Sequence, residues 1–207
     1  MDIVFCLDAT GSMANTIQAA RDKVEDLAFD LHINNRKADF NYACICYRDP
    51  VDAPDDVHEM YNLTDSAEDI GTWLEDIKVS GGGDGPEDFV GAFEKIFNDV
   101  QWREGANNRR AIIWIADAPA HGCRYCGREN HQEEEPKLEP LVAKAARDGY
   151  YFVGISIGGG ADRTFNEMKR IYEVNGGRLF TIESFTSDRS DVLLDLTWDP
   201  IDGKVLW

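Results

Sequence analysis

The stretch VFCLDATGSMANT, residues 4–16, decides how the rest of the chain is interpreted. An apolar run typical of a buried strand ends at Asp8, and hydroxyl side chains follow at Thr10 and Ser12, on either side of Gly11. Side chains at this alternate spacing in one turn can direct their oxygen atoms toward a single point. Carboxylate and hydroxyl oxygens are the ligands of hard cations such as Mg²⁺, Mn²⁺ or Ca²⁺. The stretch therefore predicts a strand followed by a helix, with a candidate cation site in the turn between them.

Apolar strand-like runs alternate with amphipathic helical segments along the remainder of the chain. The pattern predicts strands at 2–7, 40–49, 57–63, 110–117, 150–157 and 178–182, the third of them at a sheet edge. It predicts helices at 14–33, 66–79, 87–102, 137–149, 162–177 and 187–198, with Asp65 or Ser66 capping the second. Such alternation favours an α/β fold: a doubly wound, mostly parallel six-stranded sheet with helices on both faces. The sequence shows neither a repeat nor a linker, so residues 1–207 are expected to form one domain.

The charge and the cysteines narrow the class of protein. The net charge is −18, from 39 acidic and 21 basic residues, which argues against a nucleic-acid partner because phosphate backbones are repelled. The chain contains no apolar run long enough to cross a bilayer, and Met1 leads almost directly into a strand, so neither membrane insertion nor a signal peptide is expected. Cys6, Cys44 and Cys46 lie in strand-like runs and are interpreted as reduced core thiols. These features favour a cytoplasmic protein.

Acidic residues stand where strands of the predicted sheet end. Asp8 follows the first strand and Asp117 follows the fourth, while Glu87 follows the glycine-rich stretch GGGDGP, residues 81–86. Ligands of doubly wound sheets bind beyond the carboxyl ends of the strands. Taken singly, Asp8 could cap the first helix, and Asp117 could belong to a turn before Pro119. Taken together with the two hydroxyls, they predict a metal site.

Several of these stretches resemble one known family. DATGSM resembles the D-x-[ST]-x-S signature of the von Willebrand factor A domain, the metal-ion-dependent adhesion site, or MIDAS. GGGDGPEDFVGAF resembles the metal-site loop in the A-like domain of integrin β chains, and IIWIADAPAHG resembles the fourth strand of that family with its metal-site aspartate. Together with YRD, residues 47–49, the combination is most similar to the A domains attached to atypical alpha-kinases.

The resemblance implies a function and a set of ligands. It assigns Asp8, Thr10, Ser12, Glu87 and Asp117 as the ligands of a Mg²⁺-type ion, whose remaining position an Asp or Glu of a protein partner would fill. Glu87 is assigned by the integrin-like pattern, because the glycine loop lacks the threonine that many A domains have. Integrin β chains carry acids for an adjacent calcium site just after the first motif; this protein has Ala14 and Asn15 there, so that site is not expected.

The expected function is therefore recognition of a protein partner without catalysis. A Mg²⁺-dependent phosphohydrolase is an alternative, since such enzymes also begin with a strand that ends in aspartate. They need a general acid two residues later, and that position holds Thr10, which cannot protonate a leaving group. A regulatory or scaffold domain of a larger, kinase-type protein is a further alternative.

Two further candidate sites surround the predicted metal. Asp49 and Asp84 could reach a second cation, although a plain surface ion pair between Arg48 and Asp49 is the favoured interpretation. The loop at 119–136 carries His121, Cys123, Cys126 and His131, a set that could hold structural Zn²⁺. Its alternatives are two reduced thiols, a local disulfide, or a His121 that simply packs beneath the rim.

Overall fold

The computed structural model describes residues 1–15, 17–18, 24, 29, 39–50, 57–105, 108–185, 197–199 and 204–206. The strands are β1 (Asp2–Asp8), β2 (Asn41–Tyr47), β3 (His58–Thr64), β4 (Arg110–Ala116), β5 (Tyr151–Ile157), β6 (Phe180–Phe185), β7 (Thr197–Asp199) and β8 (Lys204–Leu206). The helices are α1 (Ala67–Glu75), α2 (Phe89–Asn98), α3 (Cys123–Cys126), α4 (Glu135–Arg147) and α5 (Asp162–Val174), and a 3₁₀ turn spans Gly11–Asn15.

Six strands form one sheet in the order β3-β2-β1-β4-β5-β6. The strands β2, β1, β4, β5 and β6 run parallel, and β3 lies antiparallel at the edge beside β2. The chain thus builds outward from β1 in one direction and from β4 in the other, so the strand order reverses between these two neighbours. The doubly wound, mostly parallel α/β sheet predicted from the sequence is confirmed. The crevice at such a reversal is where ligands of these folds bind.

The sheet is buried on both faces because its central strands are apolar throughout. In β1, Ile3, Phe5 and Leu7 belong to the core on one face, while Val4 and Cys6 belong to the core on the other, as the two-residue period of a strand requires. Side chains of α1 contribute to the first core, and side chains of α2, α4 and α5 contribute to the second. Helices on both faces are therefore confirmed.

An aromatic cluster fixes the start of α2 against the middle of the sheet. The Phe89 and Trp114 rings stack with centroids 4.6 Å apart and planes 10° apart. The indole N–H of Trp114 also donates to the Tyr47 hydroxyl at 3.0 Å, which satisfies a polar group in the buried cluster. Since Glu87 lies two residues before Phe89, this packing positions its carboxylate at the carboxyl edge of the sheet.

Three of the described helices are shorter than predicted: α5, which ends at Val174 rather than at 177, and the helices α1 and α2. Ser66 caps α1 as expected, accepting from the Asp69 N–H at 3.1 Å, but the helix ends at Glu75 rather than at 79. Its last turn tightens, because the N–H groups of Asp76 and Ile77 bond to carbonyls three residues earlier. The helix predicted from 87 begins at 89, because Asp88 serves as its cap and accepts from the Gly91 N–H at 2.6 Å.

The predicted helix at 187–198 is wrong where the structure describes it. Thr197 and Trp198 belong to β7, which pairs antiparallel with β8, and residues 187–196 lie outside the described part of the chain. Of the predicted helix at 14–33, residues 14 and 15 form the end of the 3₁₀ turn, and Ile17, Gln18, Val24 and Phe29 are helical. The rest of that prediction also falls outside the described residues.

Within the described ranges, none of the helices combines the length and the apolar character that a membrane span requires.

Candidate metal centre

Asp8 is the last residue of β1 and is fully buried beside the strand-order reversal. Its Oδ1 atom accepts two hydrogen bonds from Thr10, one from the backbone N–H at 2.9 Å and one from the hydroxyl at 2.6 Å. Its Oδ2 atom is buried and has no hydrogen-bond partner among the described residues. A buried carboxylate oxygen without a partner is costly, so this atom calls for a ligand that the side chains themselves do not supply.

The two hydroxyls connect the aspartates of β1 and β4. The hydroxyl oxygens of Thr10 and Ser12 lie 3.2 Å apart, and the Ser12 hydroxyl donates to Asp117 Oδ1 at 2.9 Å. Thr10 is fully buried, whereas Ser12 is exposed. The structure therefore brings Asp8, Thr10, Ser12 and Asp117 into one connected group, and this group opens to solvent at Ser12.

Glu87 approaches the same group from the glycine loop. Its side chain is 1% exposed, and Oε2 finds no hydrogen-bond partner within the described part of the chain. A methyl group placed on Gly82 would lie 3.3 Å from both Glu87 Oε1 and Thr10 Cβ. The side chains of Glu87 and Thr10 therefore both pack closely against this glycine. Gly82 also has a φ of +87°, which favours glycine at this position.

Backbone contacts hold the three loops together. The Gly11 N–H donates to the Gly81 carbonyl at 3.1 Å, and the Ser80 N–H donates to the Ala9 carbonyl at 3.1 Å. The Glu87 N–H donates to the Pro119 carbonyl at 2.9 Å, which joins the glycine loop to the segment after Asp117. The side chains of the group are thus placed by a rigid backbone frame at the carboxyl ends of β1 and β4.

The carboxyl groups of this frame hold their protons more tightly than ordinary carboxyls do in the absence of a cation. Burial, and then the neighbouring charge of Asp117, raise the pKa of Asp8 to about 7 despite the hydrogen bonds from Thr10. Burial, and then the charges of Asp8 and Asp49, raise the pKa of Glu87 to about 9. Burial also raises the pKa of Asp117. Three acids, of which Asp8 and Glu87 are buried, thus share a region that positive charge would stabilise.

These residues fit a hard divalent cation. The donors are all oxygens, two carboxylate oxygens are buried without partners among the described side chains, and the acids hold their protons more tightly than usual. Mg²⁺ in proteins takes few carboxylates and completes its six oxygen ligands with water or an outside oxygen. The exposed Ser12 leaves such an approach open on the solvent side.

The second predicted pair, Asp49 and Asp84, lies next to this group, but its neighbours are histidines rather than hydroxyls. Asp49 Oδ2 lies 2.8 Å from His121 Nε2, and Asp84 Oδ2 lies 3.2 Å from His131 Nε2. Each of the four side chains offers a ligand atom, and within the described residues these atoms all lie within 4.8 Å of one another. The structure thus joins the predicted second-cation pair with both histidines of the predicted zinc set.

The two cysteines of that set stand apart from this cluster. Cys123 and Cys126 are free thiols, and the Cys126 thiol is 3.1 Å from the Arg128 carbonyl. The local disulfide considered from the sequence is therefore not formed here.

Arg48 forms an ion pair with Glu59 at 2.8 Å, whereas Asp49 pairs with His121.

Sequence reasoning missed one residue of this region. Glu134 belongs to the run HQEEEP, whose charges are typical of a solvated face, yet its Oε2 atom lies 2.9 Å from His121 Nδ1. Burial disfavours the charged imidazole, but the hydrogen bonds to Asp49 and Glu134 prevail and raise the pKa of His121 to about 10. A solvent-facing run of acids contains no signal that distinguishes a carboxylate that turns inward from one that stays in solvent.

Comparisons with known proteins agree with this fold. The sequence profile of the von Willebrand factor A domain matches residues 2–124, a region that includes Asp8, Glu87 and Asp117. The chain belongs to the von Willebrand factor A domain family. The relatives of this A domain include an alpha-protein kinase, vwkA of Dictyostelium discoideum, which is 31% identical over 163 residues. That match covers 76% of this chain and 25% of the kinase, so the A domain spans about a quarter of its relative's length.

Solved structures support the fold of the A domain. The SpRpn10 VWA domain superposes with a TM-score of 0.67 at 14% identity, covering 100% of this chain and 98% of that one. Proximal thread matrix protein 1 from the mussel byssus, in a structure with a zinc-occupied MIDAS motif, gives a TM-score of 0.60 at 17% identity. That match covers 94% of this A domain and 44% of the mussel chain. At these identities the superpositions show a shared fold.

Proposed function

We propose that this A domain is a metal-dependent protein-recognition module without catalytic activity of its own. Asp8, Thr10, Ser12, Glu87 and Asp117 hold a divalent ion, Mg²⁺ by preference and Mn²⁺ or Ca²⁺ as substitutes. The observation that carries the proposal is the pair of buried oxygens, Asp8 Oδ2 and Glu87 Oε2, which the described protein atoms leave without partners. The zinc-occupied MIDAS of the mussel protein supports it, since a protein of this fold holds an ion there.

The residues divide the task between them. Asp8 and Thr10 form the buried floor of the site, and the Thr10 hydroxyl holds Asp8 in one orientation through its 2.6 Å hydrogen bond. Ser12 and Asp117 form the side that faces solvent, where a partner can approach. The bound ion supplies an electrophilic position that attracts a carboxylate oxygen of the partner, from Asp or Glu.

The surface charge explains why an ion is needed for such a partner. A chain of net charge −18 repels acidic side chains at long range, although salt limits this repulsion to about 8 Å at physiological ionic strength. An acidic partner residue therefore gains most from a compact positive charge at the point of contact. Recognition by this route depends on the ion rather than on a basic surface.

Metal binding is tested by calorimetry with MgCl₂ and MnCl₂ on the wild-type chain and on Thr10→Val. The variant keeps the shape of the side chain and removes its hydroxyl, so affinity should fall at least about 10-fold. Thr181→Val is the matched control, because the Thr181 hydroxyl is buried in β6 without a partner in the described structure. Equal affinity in all three proteins would refute the assignment of Thr10.

Partner binding is tested by capture from a lysate with the same three proteins, in Mg²⁺ and in EDTA. A partner that depends on the ion should be retained by wild type and Thr181→Val in Mg²⁺ and lost in EDTA or with Thr10→Val. Partners retained equally under all conditions would count against recognition through the metal. Turnover of a generic aryl phosphate that requires both Mg²⁺ and Asp8 would instead support the phosphohydrolase.

The similarity to an alpha-protein kinase favours a second candidate, a regulatory or scaffold domain of a larger kinase-type protein. In that role the metal site recruits a substrate or a regulator to an attached domain. Kinase activity of a full-length protein that changes on Thr10→Val, but not on Thr181→Val, would support it.

We also propose a cytoplasmic location. Cys6, Cys44 and Cys46 are free and buried in the core, and Cys123 and Cys126 are free at the two ends of the short helix α3 within the loop that follows β4. Loop thiols so close in sequence remain reduced most readily in a reducing compartment. Alkylation of both loop thiols in freshly lysed cells, without added reductant, is the expected result.

A further inference from the structure

Four side chains converge beside the candidate Mg²⁺ site and come from three separate loops. Asp49 follows β2, Asp84 lies in the glycine loop, and His121 and His131 lie in the loop that follows β4. Asp49 and His121 are buried, with 2% of each side chain exposed, while His131 and Asp84 face the rim at 30% and 41%. The group therefore has a buried floor and an accessible entrance.

Both imidazoles have the same orientation within the group. Each directs Nε2 toward an aspartate, His121 toward Asp49 at 2.8 Å and His131 toward Asp84 at 3.2 Å. Each directs Nδ1 toward a glutamate, His121 toward Glu134 at 2.9 Å and His131 toward Glu133 at 3.4 Å. A histidine that binds a metal through one ring nitrogen commonly donates its other N–H to a carboxylate, which fixes the tautomer and the ring orientation.

We propose that Asp49, Asp84, His121 and His131 form a second metal site, which binds Zn²⁺ or a similar transition-metal ion. Two imidazole nitrogens and two carboxylate oxygens are a donor set suited to zinc, whereas Mg²⁺ and Ca²⁺ prefer oxygen donors alone. The site is distinct from the oxygen-only group around Asp8. It also differs from the predicted Cys/His set, because the thiols of Cys123 and Cys126 are not among its ligand atoms.

The separations are close to those that zinc requires. Four ligands at about 2.0–2.1 Å from a tetrahedral ion lie about 3.4 Å from one another. The nitrogen–oxygen distances of 2.8 Å and 3.2 Å are slightly below that value, and the remaining ligand atoms lie within 4.8 Å. Adjusting the partly exposed His131 and Asp84 brings the set toward the ideal spacing with little movement of the buried pair.

The second ion would hold the rim of the first site in place. The Pro86 carbonyl lies 3.1 Å from His121 Nε2, and Pro86 stands between Asp84 and Glu87 in the glycine loop. Asn130 also donates to Asp84 Oδ2 at 2.7 Å, which ties the long loop to the same point. A cation here fastens the glycine loop, which carries Glu87, to the loop after Asp117.

The test uses Co²⁺, whose visible absorption reports ligand geometry, titrated into the full chain in excess Mg²⁺. The wild type should bind one Co²⁺ with the intense bands of a tetrahedral site and without a thiolate charge-transfer band, and Zn²⁺ should displace it. His131→Gln should abolish the bands. Glu134→Gln, which leaves all four ligands in place, should weaken binding about 10–100-fold.

Two controls separate this proposal from its alternatives. Cys123→Ser combined with Cys126→Ser should leave the spectrum unchanged, and so should Thr10→Val, which alters only the first site. Loss of binding with the double cysteine variant, or a thiolate band in the wild type, would overturn the ligand assignment. A wild type that takes up no Co²⁺ in Mg²⁺ would overturn the site itself, while leaving the Mg²⁺ proposal standing.

Discussion

Two groups of acids, each with a buried floor, stand side by side at the carboxyl edge of this sheet, and their negative charge is compensated differently. The group around Asp8 contains acids and hydroxyls, and the pKa values of Asp8 and Glu87 are raised to about 7 and about 9. The group around Asp49 contains acids and imidazoles, and the pKa of His121 is raised to about 10. In the absence of any ion, the first group has no positive charge of its own, whereas the second contains the His121 imidazole with its raised pKa. Adjacent loops of one fold can therefore favour ions of different chemistry.

The largest expected effect follows from removing the internal positive charge of the second group. His121→Gln should lower the free energy of unfolding in EDTA by about 3–5 kcal/mol, because it leaves the buried Asp49 without its charged partner. His131→Gln is the matched control and should cost about 0–1 kcal/mol, since His131 is 30% exposed. Urea denaturation of both variants measures the difference. Equal losses would show that burial does not distinguish the two imidazoles.

Binding of Mg²⁺ to the first group should raise the free energy of unfolding by an amount comparable to the loss expected for His121→Gln. Mg²⁺ at 100 times its dissociation constant should raise the free energy of unfolding by about 2.7 kcal/mol. Urea denaturation of the wild type and of Ser12→Ala, each with and without Mg²⁺, checks this. A stabilisation of the same size in Ser12→Ala would mean that the ion binds elsewhere.

Neutralising an acid should change the stability of the folded chain in opposite directions in the two groups. In EDTA at neutral pH, Asp8→Asn should stabilise the chain by about 1 kcal/mol, because it replaces a buried carboxyl that is partly charged near its pKa of about 7 and has no countercharge. Asp49→Asn should destabilise it, because the His121 imidazole loses the buried carboxylate at its Nε2 atom and keeps only Glu134 at Nδ1. Thermal unfolding in EDTA measures whether each variant raises or lowers the melting temperature. An Asp49→Asn variant that is more stable than wild type would contradict the proposed difference between the two groups.

The last comparison between the groups concerns pH dependence. A carboxyl whose pKa is raised binds more protons when folded, so its contribution to stability falls as the pH rises from the unfolded pKa to the folded one. For Glu87 this window runs from its ordinary pKa of 4.5 to about 9. In EDTA, wild type should therefore lose stability relative to Glu87→Gln as the pH rises from about 5 to about 9.

Saturating Mg²⁺ should reduce this loss, because the ion favours the charged carboxylate in the folded chain. The measurement is the difference in urea midpoint between wild type and Glu87→Gln at each pH. A difference that grows in favour of wild type with rising pH in EDTA would contradict the charge distribution described above.

Local pattern predicted most of the fold but not all of it. The six strands of the main sheet follow from apolar runs, and the cap at Ser66 follows from its chemistry. The helix expected at 187–198 is wrong at Thr197 and Trp198, because an amphipathic pattern does not reveal that β7 finds a partner in β8. Strand pairing is a long-range event, and the helical period of a short segment carries no information about it.

The order of the residues was enough to predict the sheet, the strand ends and a candidate site at Asp8, Thr10, Ser12 and Asp117, because these stand at or just after the ends of buried strands. Glu87 was assigned to that site by the resemblance of its glycine loop to the integrin β pattern. Only the folded structure shows which loops contact one another. The folded chain joins Asp49 and Asp84 to His121 and His131, leaves Cys123 and Cys126 outside that cluster, and turns Glu134 inward. Loops far apart in the chain are brought together by the packing of the sheet and its helices, and single-sequence spacing does not encode that packing.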